Sequence, residues 1–353
     1  MKISINAPLF DQPYGGGMGF LKIIKKYLES QGAEVINHLA SDDIQIILHL
    51  NVTYTFQYTF YAAWIYKLTH PKCVIIHRVN DSGLHRSNEC MNHLINQCSR
   101  YSDFIVYNSD WLWSVMYPKL KMAKPWKIIY NGADSDIFNN RGKKKWCKST
   151  KLKIVTHHWS SNYHKGHDIY KKLDSMLGEQ KYGNLFEFTY IGNFPSKISY
   201  KNIRILNPMD AHNLGKELKK NHIYLSASRN EAGPMHVVEG ALSGLPLLYI
   251  RSGATPEYCS GYGVEFDADS FAEKLLEIRN NYDLYYDNIK AYRKTGQIMA
   301  KNYFDLFNRL ILYKSKIRKN EHMTSDLWKK YYFYLKDKLY KHQLKLGSLL
   351  YRK

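Results

Sequence analysis

The chain has 353 residues, 44% of them hydrophobic and 14% aromatic, a composition that excludes disorder as its main state and a length that allows two domains with separate cores. Its net charge of +20 predicts attraction to polyanions such as acidic lipids, nucleic acid or charged glycans. No apolar run of about 18 residues is present, and the first five residues read as a strand rather than a signal peptide, so we expect a cytoplasmic protein.

The first part of the chain alternates strand and helix patterns. Short apolar runs bounded by turns predict strands at residues 2–6, 34–37, 44–50, 73–76, 104–107 and 127–130. Helical spacing is present over residues 20–28 and 56–68. Strands that alternate with helices favour a parallel sheet with helices on both faces.

The pattern starts again after a basic stretch at residues 141–146. Strands are predicted at residues 153–156, 186–191, 204–206, 223–225 and 247–250, with a helix over 167–177. We therefore predict an α/β protein with a Rossmann-like domain at 1–140, a linker at 141–148, a second Rossmann-like domain at 149–290 and C-terminal helices at 291–353. Ligands of such sheets bind at the carboxyl ends of the strands, so we expect a cleft between the two domains.

Two glutamates, Glu231 and Glu239, are separated by seven residues across a turn and the start of a helix. The turn residues Asn230, Gly233 and Pro234 precede an apolar stretch at helical spacing, which predicts that Glu239 lies inside the helix and Glu231 in the loop before it. The first amides of a helix bind anions through unpaired donors and the helix dipole. A carboxylate on either side suits a ligand that joins phosphates to hydroxyl-rich rings.

This segment resembles the Glu-x7-Glu motif of retaining GT-B glycosyltransferases, above all family 4. The strings Ser-Arg-Asn-Glu-Ala-Gly-Pro at 228–234, Glu-Gly-Ala-Leu-Ser-Gly-Leu-Pro at 239–246 and Gly-Ala-Thr-Pro-Glu at 253–257 are in the order typical of that family. The resemblance implies two Rossmann-like domains with facing parallel sheets and a nucleotide-sugar donor, a UDP-sugar or GDP-sugar. It implies transfer to a glycan or lipid-linked acceptor with retention, and neither a permanently bound cofactor nor a metal.

The resemblance also implies roles for the residues of the motif. Glu239 would accept the two ribose hydroxyls of the donor, because one carboxylate can take paired O–H donors. Glu231, as a catalytic residue, would hold a hydroxyl of the donor sugar. The backbone amides of the segment Gly233, Pro234, Met235 and His236 would meet the sugar and phosphate oxygens, with Pro234, which lacks an N–H, as a donor-binding candidate within it.

A second donor-side string, residues 157–166, ends in the Lys-Gly pair that the family places after the first strand of the second domain. Lys165 would neutralise the donor diphosphate, whose leaving-group charge grows in the transition state. Many relatives carry an arginine six residues earlier, where this chain has Trp159. The missing charge could come from Arg229 or from the helix terminus. Ser160 and Ser161 are further donor-binding candidates, and the nucleobase is expected near Asn193 and residues 207–209.

In the first domain, four polar residues directly follow or end the strand predicted at 73–76. Family members often place a histidine there, so His77 and Asp81 are catalytic candidates, and Arg78 and Asn80 are acceptor-side candidates. A structural role for the histidine beside Arg and Asp is the alternative. Gly16 and Gly17, in the glycine-rich loop after the first strand, suit a close backbone approach to a phosphate or sugar.

Asp267 and Asp269 form an Asp-x-Asp sequence, which in the GT-A transferase fold holds a divalent metal. Here Asp269 and Ser270 precede an apolar pattern at helical spacing, so we interpret the sequence as a helix cap and predict no metal site. The cysteines, five in number, show no Cys-x-x-Cys spacing and predict reduced thiols.

The C-terminal tail is strongly basic, with twelve Lys and Arg against three acidic residues from Lys314 to the end. Aromatic and leucine residues alternate with these lysines. The pattern fits a basic amphipathic helix on an anionic membrane surface, and it equally fits a helix packed on the protein itself.

Two other functions compete with glycosyl transfer. A nucleotide-sugar epimerase shares the same fold and would isomerise the sugar instead of transferring it. A polyanion-binding protein on a degenerate transferase scaffold is the alternative from another class, favoured by the charge and by Trp159. Nucleic acid stays open as an acceptor or partner for the same reason.

Overall fold

The computed structural model describes residues 1–7, 16–50, 59–84 and 89–317, and the basic tail falls outside these ranges. Residues Met1–Phe307 form one compact unit that contains two parallel sheets of six strands each. Residues from Asn308 on form a second unit, of which the structure describes the last ten helical residues to Ile317. No helix among the described residues is long and apolar enough to cross a bilayer.

The first sheet has the strand order β2-β1-β3-β4-β5-β6, and the neighbouring strands pair in parallel. We call the part of the chain that carries it the first lobe. Its elements in chain order are β1 (Lys2–Asn6), α1 (Gly16–Ser30), β2 (Glu34–Ile36), β3 (Ile46–His49), α2 (Phe60–Thr69), β4 (Val74–Val79), α3 (Glu89–Tyr101), β5 (Phe104–Tyr107), α4 (Asp110–Leu120) and β6 (Trp126–Ile128).

The second sheet has the order β12-β11-β10-β7-β8-β9 and is also parallel. It defines the second lobe. Its elements are β7 (Leu152–His158), a short 3-10 helix (Tyr163–Lys165), α5 (His167–Leu177), α6 (Gln180–Gly183), β8 (Phe186–Gly192), β9 (Arg204–Leu206), α7 (Ala211–Leu218), β10 (Ile223–Ser226), α8 (Met235–Leu242), β11 (Leu247–Ile250), α9 (Thr255–Cys259) and β12 (Gly263–Phe266), followed by α10 (Phe271–Asn280), α11 (Tyr282–Ile289) and α12 (Gly296–Ile317).

Helices cover both faces of the second sheet, which explains the uninterrupted apolar runs of its strands. On one face, Ile154 and Leu225 pack with α5 and α10 through Tyr170 and Phe271. On the other face, Val155 and Tyr224 pack with residues of α8 and α9. Successive strand residues therefore point to opposite cores, and the side chains at the strand ends point to opposite sides of the site described below.

The predicted two-sheet α/β architecture is confirmed, with some differences in the elements. The sequence pattern did not predict the edge strand β12, whose four residues include the half-buried Glu265. Strand β4 extends to Val79 and so includes His77 and Arg78, which the pattern placed beyond its end. All six of its residues are buried, so these two polar side chains lie within the folded core rather than in a loop.

Candidate functional site

The two glutamates lie where the pattern predicted them, Glu231 in a loop and Glu239 inside α8. The loop follows the carboxyl end of β10, and α8 begins at Met235 after Pro234, with Asn230 in the left-handed backbone region at φ 54°. The side chains are 14% and 18% exposed, so both carboxylates border solvent at the edge of the sheet. The first amides of α8 have no acceptor within the helix and form a positive terminus between the two carboxylates.

Lys165 and Glu231 form a close ion pair. The Lys165 Nζ donates to Oε1 of Glu231 at 2.6 Å, and the Ser228 hydroxyl donates to the same oxygen at 2.6 Å. The fold thus brings together Lys165, predicted to bind the phosphates, and Glu231, predicted to bind the sugar. Each is the charge partner of the other in this structure.

Gly166 explains how Lys165 reaches that position. Its φ of +94° suits glycine, and a Cβ there would lie 2.4 Å from the Cβ of Ala227 and 2.5 Å from its carbonyl oxygen. The chain at Lys165 can therefore approach the end of β10 directly. The backbone N–H of Arg229 also donates to the carbonyl of His164 at 2.9 Å, which ties the two loops together.

Arg229 is engaged away from the glutamates. Its guanidinium donates two bonds to the Asp168 carboxylate, at 2.7 and 2.6 Å, in the bidentate geometry that favours this pair. Burial opposes ionisation of Asp168, yet the bonds from Arg229 hold the pKa of that carboxyl below its usual range. Arg229 is therefore half-buried beside the site, with its charge balanced by Asp168.

Three histidines lie close together at the end of β7 and the start of α8, and one of them contacts the carboxylate of Glu239. The His157 Nε2 lies 2.7 Å from Oε2 of Glu239, the His236 Nε2 lies 2.9 Å from the Ser226 hydroxyl, and His158 contacts the Tyr170 hydroxyl at 2.8 Å. Burial lowers the pKa of His158 well below its ordinary value, and neighbouring histidines and Lys165 add to the effect. No role was predicted for His157. Its position two residues after Val155, on the face of β7 that packs against α8, is the sequence signal that could have identified it.

Trp159, Ser160 and Ser161 are exposed just after β7, and Trp159 retains 43% of its surface. The Ser160 hydroxyl accepts the N–H of Asn162 at 3.2 Å. The Asn193 side chain donates to the Trp159 carbonyl at 2.7 Å, which joins the ends of β7 and β8 where the nucleobase was predicted. No cation stands at position 159 to replace the family arginine.

The first-lobe candidates do not converge on the glutamates as a group. His77 is 1% exposed, its Nδ1 lies 2.9 Å from the Ser99 hydroxyl, and burial together with His49 lowers its pKa well below the ordinary value. This environment matches the structural alternative for that histidine. Asp81 accepts the N–H groups of Ser82 and Gly83 in its own turn, and Asn80 is half-buried beside it.

Arg78, by contrast, connects the two lobes. It is 4% exposed, lies over the ring of Phe20, and donates to Oδ1 of Asn131 at 2.8 Å. The Asn131 side-chain nitrogen in turn donates to the carbonyl of Gly233 at 3.0 Å, in the loop between the glutamates. Gly16 and Gly17 are the first residues of α1, and the loop before them is outside the described ranges.

Further contacts bring the carboxyl end of the first sheet against the same loop. The Ser109 hydroxyl donates to the carbonyl of Ala232 at 2.7 Å, and Ala232 packs in the apolar cluster of Tyr107 and Leu112. The Glu257 carboxylate accepts the backbone N–H groups of Asp110 and Trp111, the first residues of α4, at 2.8 and 2.6 Å. The second lobe thus caps a helix of the first lobe.

The Asp-x-Asp sequence forms a turn before α10. Oδ1 of Asp267, rather than Asp269, accepts the N–H groups of Asp269 and Ser270 and the Ser270 hydroxyl. The predicted cap is therefore wrong in its residues, because Ser270 at the N-cap position of α10 makes no side-chain capping bond and Asp267 instead closes the turn before the helix. Across the described residues, no group of three or more His, Cys, Asp or Glu side chains is arranged to hold a metal ion.

No protein-family model matches the chain. The curated uncharacterized protein 356 of Sulfolobus islandicus rod-shaped virus 1 is 22% identical over 228 residues, which span 54% of this chain and 63% of the viral protein. Among solved structures, the sucrose-phosphate synthase of Thermosynechococcus elongatus matches with a TM-score of 0.67 and 11% identity, over 88% of this chain and 98% of that one.

The Anabaena protein HepE, solved in complex with UDP-glucose, has a TM-score of 0.61 and 13% identity, over 89% of this chain and 98% of its own. A glycosyltransferase from Rickettsia africae matches with a TM-score of 0.60 and 11% identity, over 88% and 98%. These neighbours are GT-B glycosyltransferases of the retaining family 4 type. The fold is therefore GT-B-like, as the resemblance implied.

Proposed function

We propose that this protein is a retaining glycosyltransferase that uses a nucleotide-sugar donor. The observation that carries the proposal is the convergence of Lys165, Glu231 and Glu239 around the start of α8, at the carboxyl end of a parallel sheet. This arrangement places one cation, two carboxylates and a helix terminus within one site. Their chemistry matches the phosphates and hydroxyls of a nucleotide sugar.

On the donor side, Glu239 takes the ribose hydroxyls and Glu231 takes a hydroxyl of the sugar. Lys165 leaves Glu231 for the diphosphate when the donor binds, because a diphosphate carries more charge than one carboxylate. The amides at the start of α8 contact the remaining phosphate oxygens. A UDP-sugar is the favoured donor, since HepE was solved with UDP-glucose and the pneumococcal O-GlcNAc transferase with UDP and GlcNAc.

The reaction needs no protein nucleophile. The bond from the anomeric carbon to the diphosphate oxygen breaks, and the acceptor hydroxyl oxygen bonds to the same carbon on the same face. The acceptor proton passes to the leaving phosphate oxygen. Lys165 and the helix terminus stabilise the charge that develops on the diphosphate.

The acceptor is a glycan or a lipid-linked sugar that enters from the first lobe. We keep Asn80 and Asp81 as residues beside the acceptor. Arg78 acts through Asn131 on the loop that contains Gly233, between the two glutamates. For His77, buried against Ser99, we assign support of β4 rather than contact with substrate.

A donor screen tests the proposal. Thermal unfolding of the full chain is followed with UDP-, GDP-, ADP- and dTDP-sugars, and a donor at 100 times its Kd should stabilise the fold by about 2.7 kcal/mol. The stabilising donor is then supplied with candidate acceptors, and released nucleotide and glycosylated product are measured. Glu231→Gln should lower the rate of product formation by about 100-fold, and Glu239→Gln should weaken donor binding.

Glu187→Gln is the matched control, because Glu187 is exposed near the amino end of β8, at the opposite edge of the same sheet. Isomerised sugar without a new glycosidic product would favour the epimerase. Polyanion binding without a shift by any donor, and with Glu231→Ala unchanged in every activity, would contradict the proposal.

A further inference from the structure

His157 lies between Glu239 and Tyr224, two residues on different elements of the second lobe. Its Nε2 is 2.7 Å from Oε2 of Glu239, and its Nδ1 is 3.0 Å from the Tyr224 hydroxyl. The three side chains join β7, β10 and α8 in one hydrogen-bonded chain. Of the three residues, only Glu239 has a role in the proposed function.

The direction of the protons in this chain follows from its contacts. The Tyr224 hydroxyl accepts the backbone N–H of His157 at 3.3 Å, and burial raises the pKa of that hydroxyl well above its ordinary value, so it keeps its proton. The Nδ1 of His157 lies 3.0 Å from this hydroxyl. The oxygens of an ionised carboxylate can only accept hydrogen bonds, so the His157 Nε2 donates to Oε2 of Glu239.

We infer that His157 and Tyr224 are positioning residues that fix the carboxylate of Glu239 for the ribose hydroxyls. They thereby set a preference for ribonucleotide over 2′-deoxyribonucleotide donors. The inference rests on the proposed function. The bond from His157 occupies one acceptor position of Oε2, and Oε1 has no side-chain partner within the described part of the chain.

Fixing the carboxylate matters because an unconstrained glutamate has several rotamers of similar energy. Ordering it before the ligand arrives removes that entropy cost from binding and fixes the orientation of the carboxylate plane. Two ribose hydroxyls at fixed spacing benefit from a carboxylate held in one orientation. A 2′-deoxyribose offers one of these hydroxyls fewer and leaves an acceptor unpaired.

The packing of α8 also supports a positioning role for Tyr224. Gly240, next to Glu239, sits on the ring of Tyr224, and a Cβ at this position would lie 2.4 Å from two ring carbons. The helix can therefore lie directly on a tyrosine that is fully buried. This contact brings α8 close to β10, and His157 on the neighbouring strand β7 bonds both Tyr224 and Glu239.

The preference for ribonucleotides over 2′-deoxyribonucleotides measures how far His157 and Tyr224 position Glu239. Kd values for UDP, 2′-deoxy-UDP, GDP and 2′-deoxy-GDP are measured by calorimetry with the full chain. Wild type should prefer the ribonucleotide of its base by at least about tenfold, the value of one hydrogen bond to a charged group. His157→Ala should lose about tenfold in ribonucleotide affinity while the deoxyribonucleotide Kd stays near wild type.

Two further variants separate positioning from general damage. His157→Gln keeps an N–H donor near the place of Nε2 and should restore much of the selectivity, and Tyr224→Phe should reduce it in the same direction as His157→Ala. His222→Asn, at the amino end of β10, is the control and should leave both Kd values unchanged.

The outcomes for the two proposals differ. If wild type binds none of the four nucleotides, the proposed function fails and this inference with it. If wild type prefers ribonucleotides and the His157 and Tyr224 variants keep that preference, the inference is overturned and the proposed function stands. An equal loss of ribonucleotide and deoxyribonucleotide affinity also overturns it, and should His157→Ala not fold, Tyr224→Phe and His157→Gln decide on the same readout.

Discussion

The Nζ of Lys165 and the Oε1 of Glu231 are 2.6 Å apart, although 66 residues separate them in the chain. Their side chains are 15% and 14% exposed, so the pair is largely shielded from solvent. An anion that binds Lys165 would compete with the Glu231 carboxylate for the Nζ. Under the proposed function, donor binding therefore weakens this ion pair.

The pair predicts coupled effects on turnover. Lys165→Met and Glu231→Gln should each lower kcat/KM by about 100-fold, because each removes a group that meets the donor in the transition state. The double variant should lose clearly less than the product of the two single losses, since each single change leaves an unpaired charge. Steady-state kinetics on the four proteins gives the coupling. Lys172→Met is the control, for Lys172 is exposed on α5, and strictly additive losses would contradict a functional pair.

A matched pair of glycines separates backbone strain from close packing. Gly166 and Gly261 have φ values of +94° and +87°, but a Cβ at 261 meets nothing within 4 Å whereas one at 166 meets Ala227. Gly261→Ala should lower the free energy of unfolding by about 1 kcal/mol, from φ alone. Gly166→Ala should cost about 1 to 2 kcal/mol more and also weaken donor binding. Denaturant titrations of both variants measure the difference, and equal losses would rule out the packing explanation.

Glu257 predicts a measurable contribution to the contact between the lobes. Its carboxylate accepts two N–H groups at the start of α4, where a negative charge is favoured by the helix dipole. Glu257→Gln should lower the free energy of unfolding by about 1 kcal/mol, the usual value of a lost helix cap. Glu273→Gln, an exposed change in the first turn of α10 with a side chain 77% accessible, should have a much smaller effect. The prediction fails if the two variants unfold at the same denaturant concentration.

The burial of His222 predicts that the protein loses stability in mild acid. Burial lowers its pKa to about 4, with repulsion from Lys143 and Lys153 adding to the shift. Between pH 6.5 and 4 the unfolded chain binds a proton there that the folded chain does not, so stability falls as the pH falls through this window. His222→Asn keeps an acceptor for the Lys153 N–H and removes the titration. The difference between the Tm values at pH 7 and pH 5 should narrow by roughly 2 °C, and an unchanged difference would assign the acid sensitivity to other groups.

Much of the fold was predictable because its strands are buried on both faces. Runs such as 104–107 and 247–250 consist of large apolar residues between turns, and the structure has strands with those bounds. Strand β12 was not predicted because it is short, lies at the sheet edge and contains a charged residue. The position of Glu231 and Glu239 relative to α8 followed from local turn and helix signals alone.

The partners of those glutamates could not be predicted in the same way. His157 and Glu239 are 82 residues apart, and their contact depends on which face of β7 meets α8. The bond of Arg229 to Asp168 likewise depends on the approach that Gly166 allows. His77 was predicted at the site because family members often place a histidine there, and the sequence could not show that β4 continues through it or that its Nδ1 lies beside the Ser99 hydroxyl.

The two bonds of Asn131, from Arg78 and to Gly233, have a consequence for engineering. The Asn131 side chain accepts a bond from Arg78 of the first lobe with its oxygen and donates to the loop between the glutamates with its nitrogen. A chimera that takes its first lobe from another protein of this fold would therefore need to bring a matching pair at positions 78 and 131, or the imported lobe would also disturb the loop between the two glutamates. Lobe exchange in this protein therefore depends first on the three residues Arg78, Asn131 and Gly233.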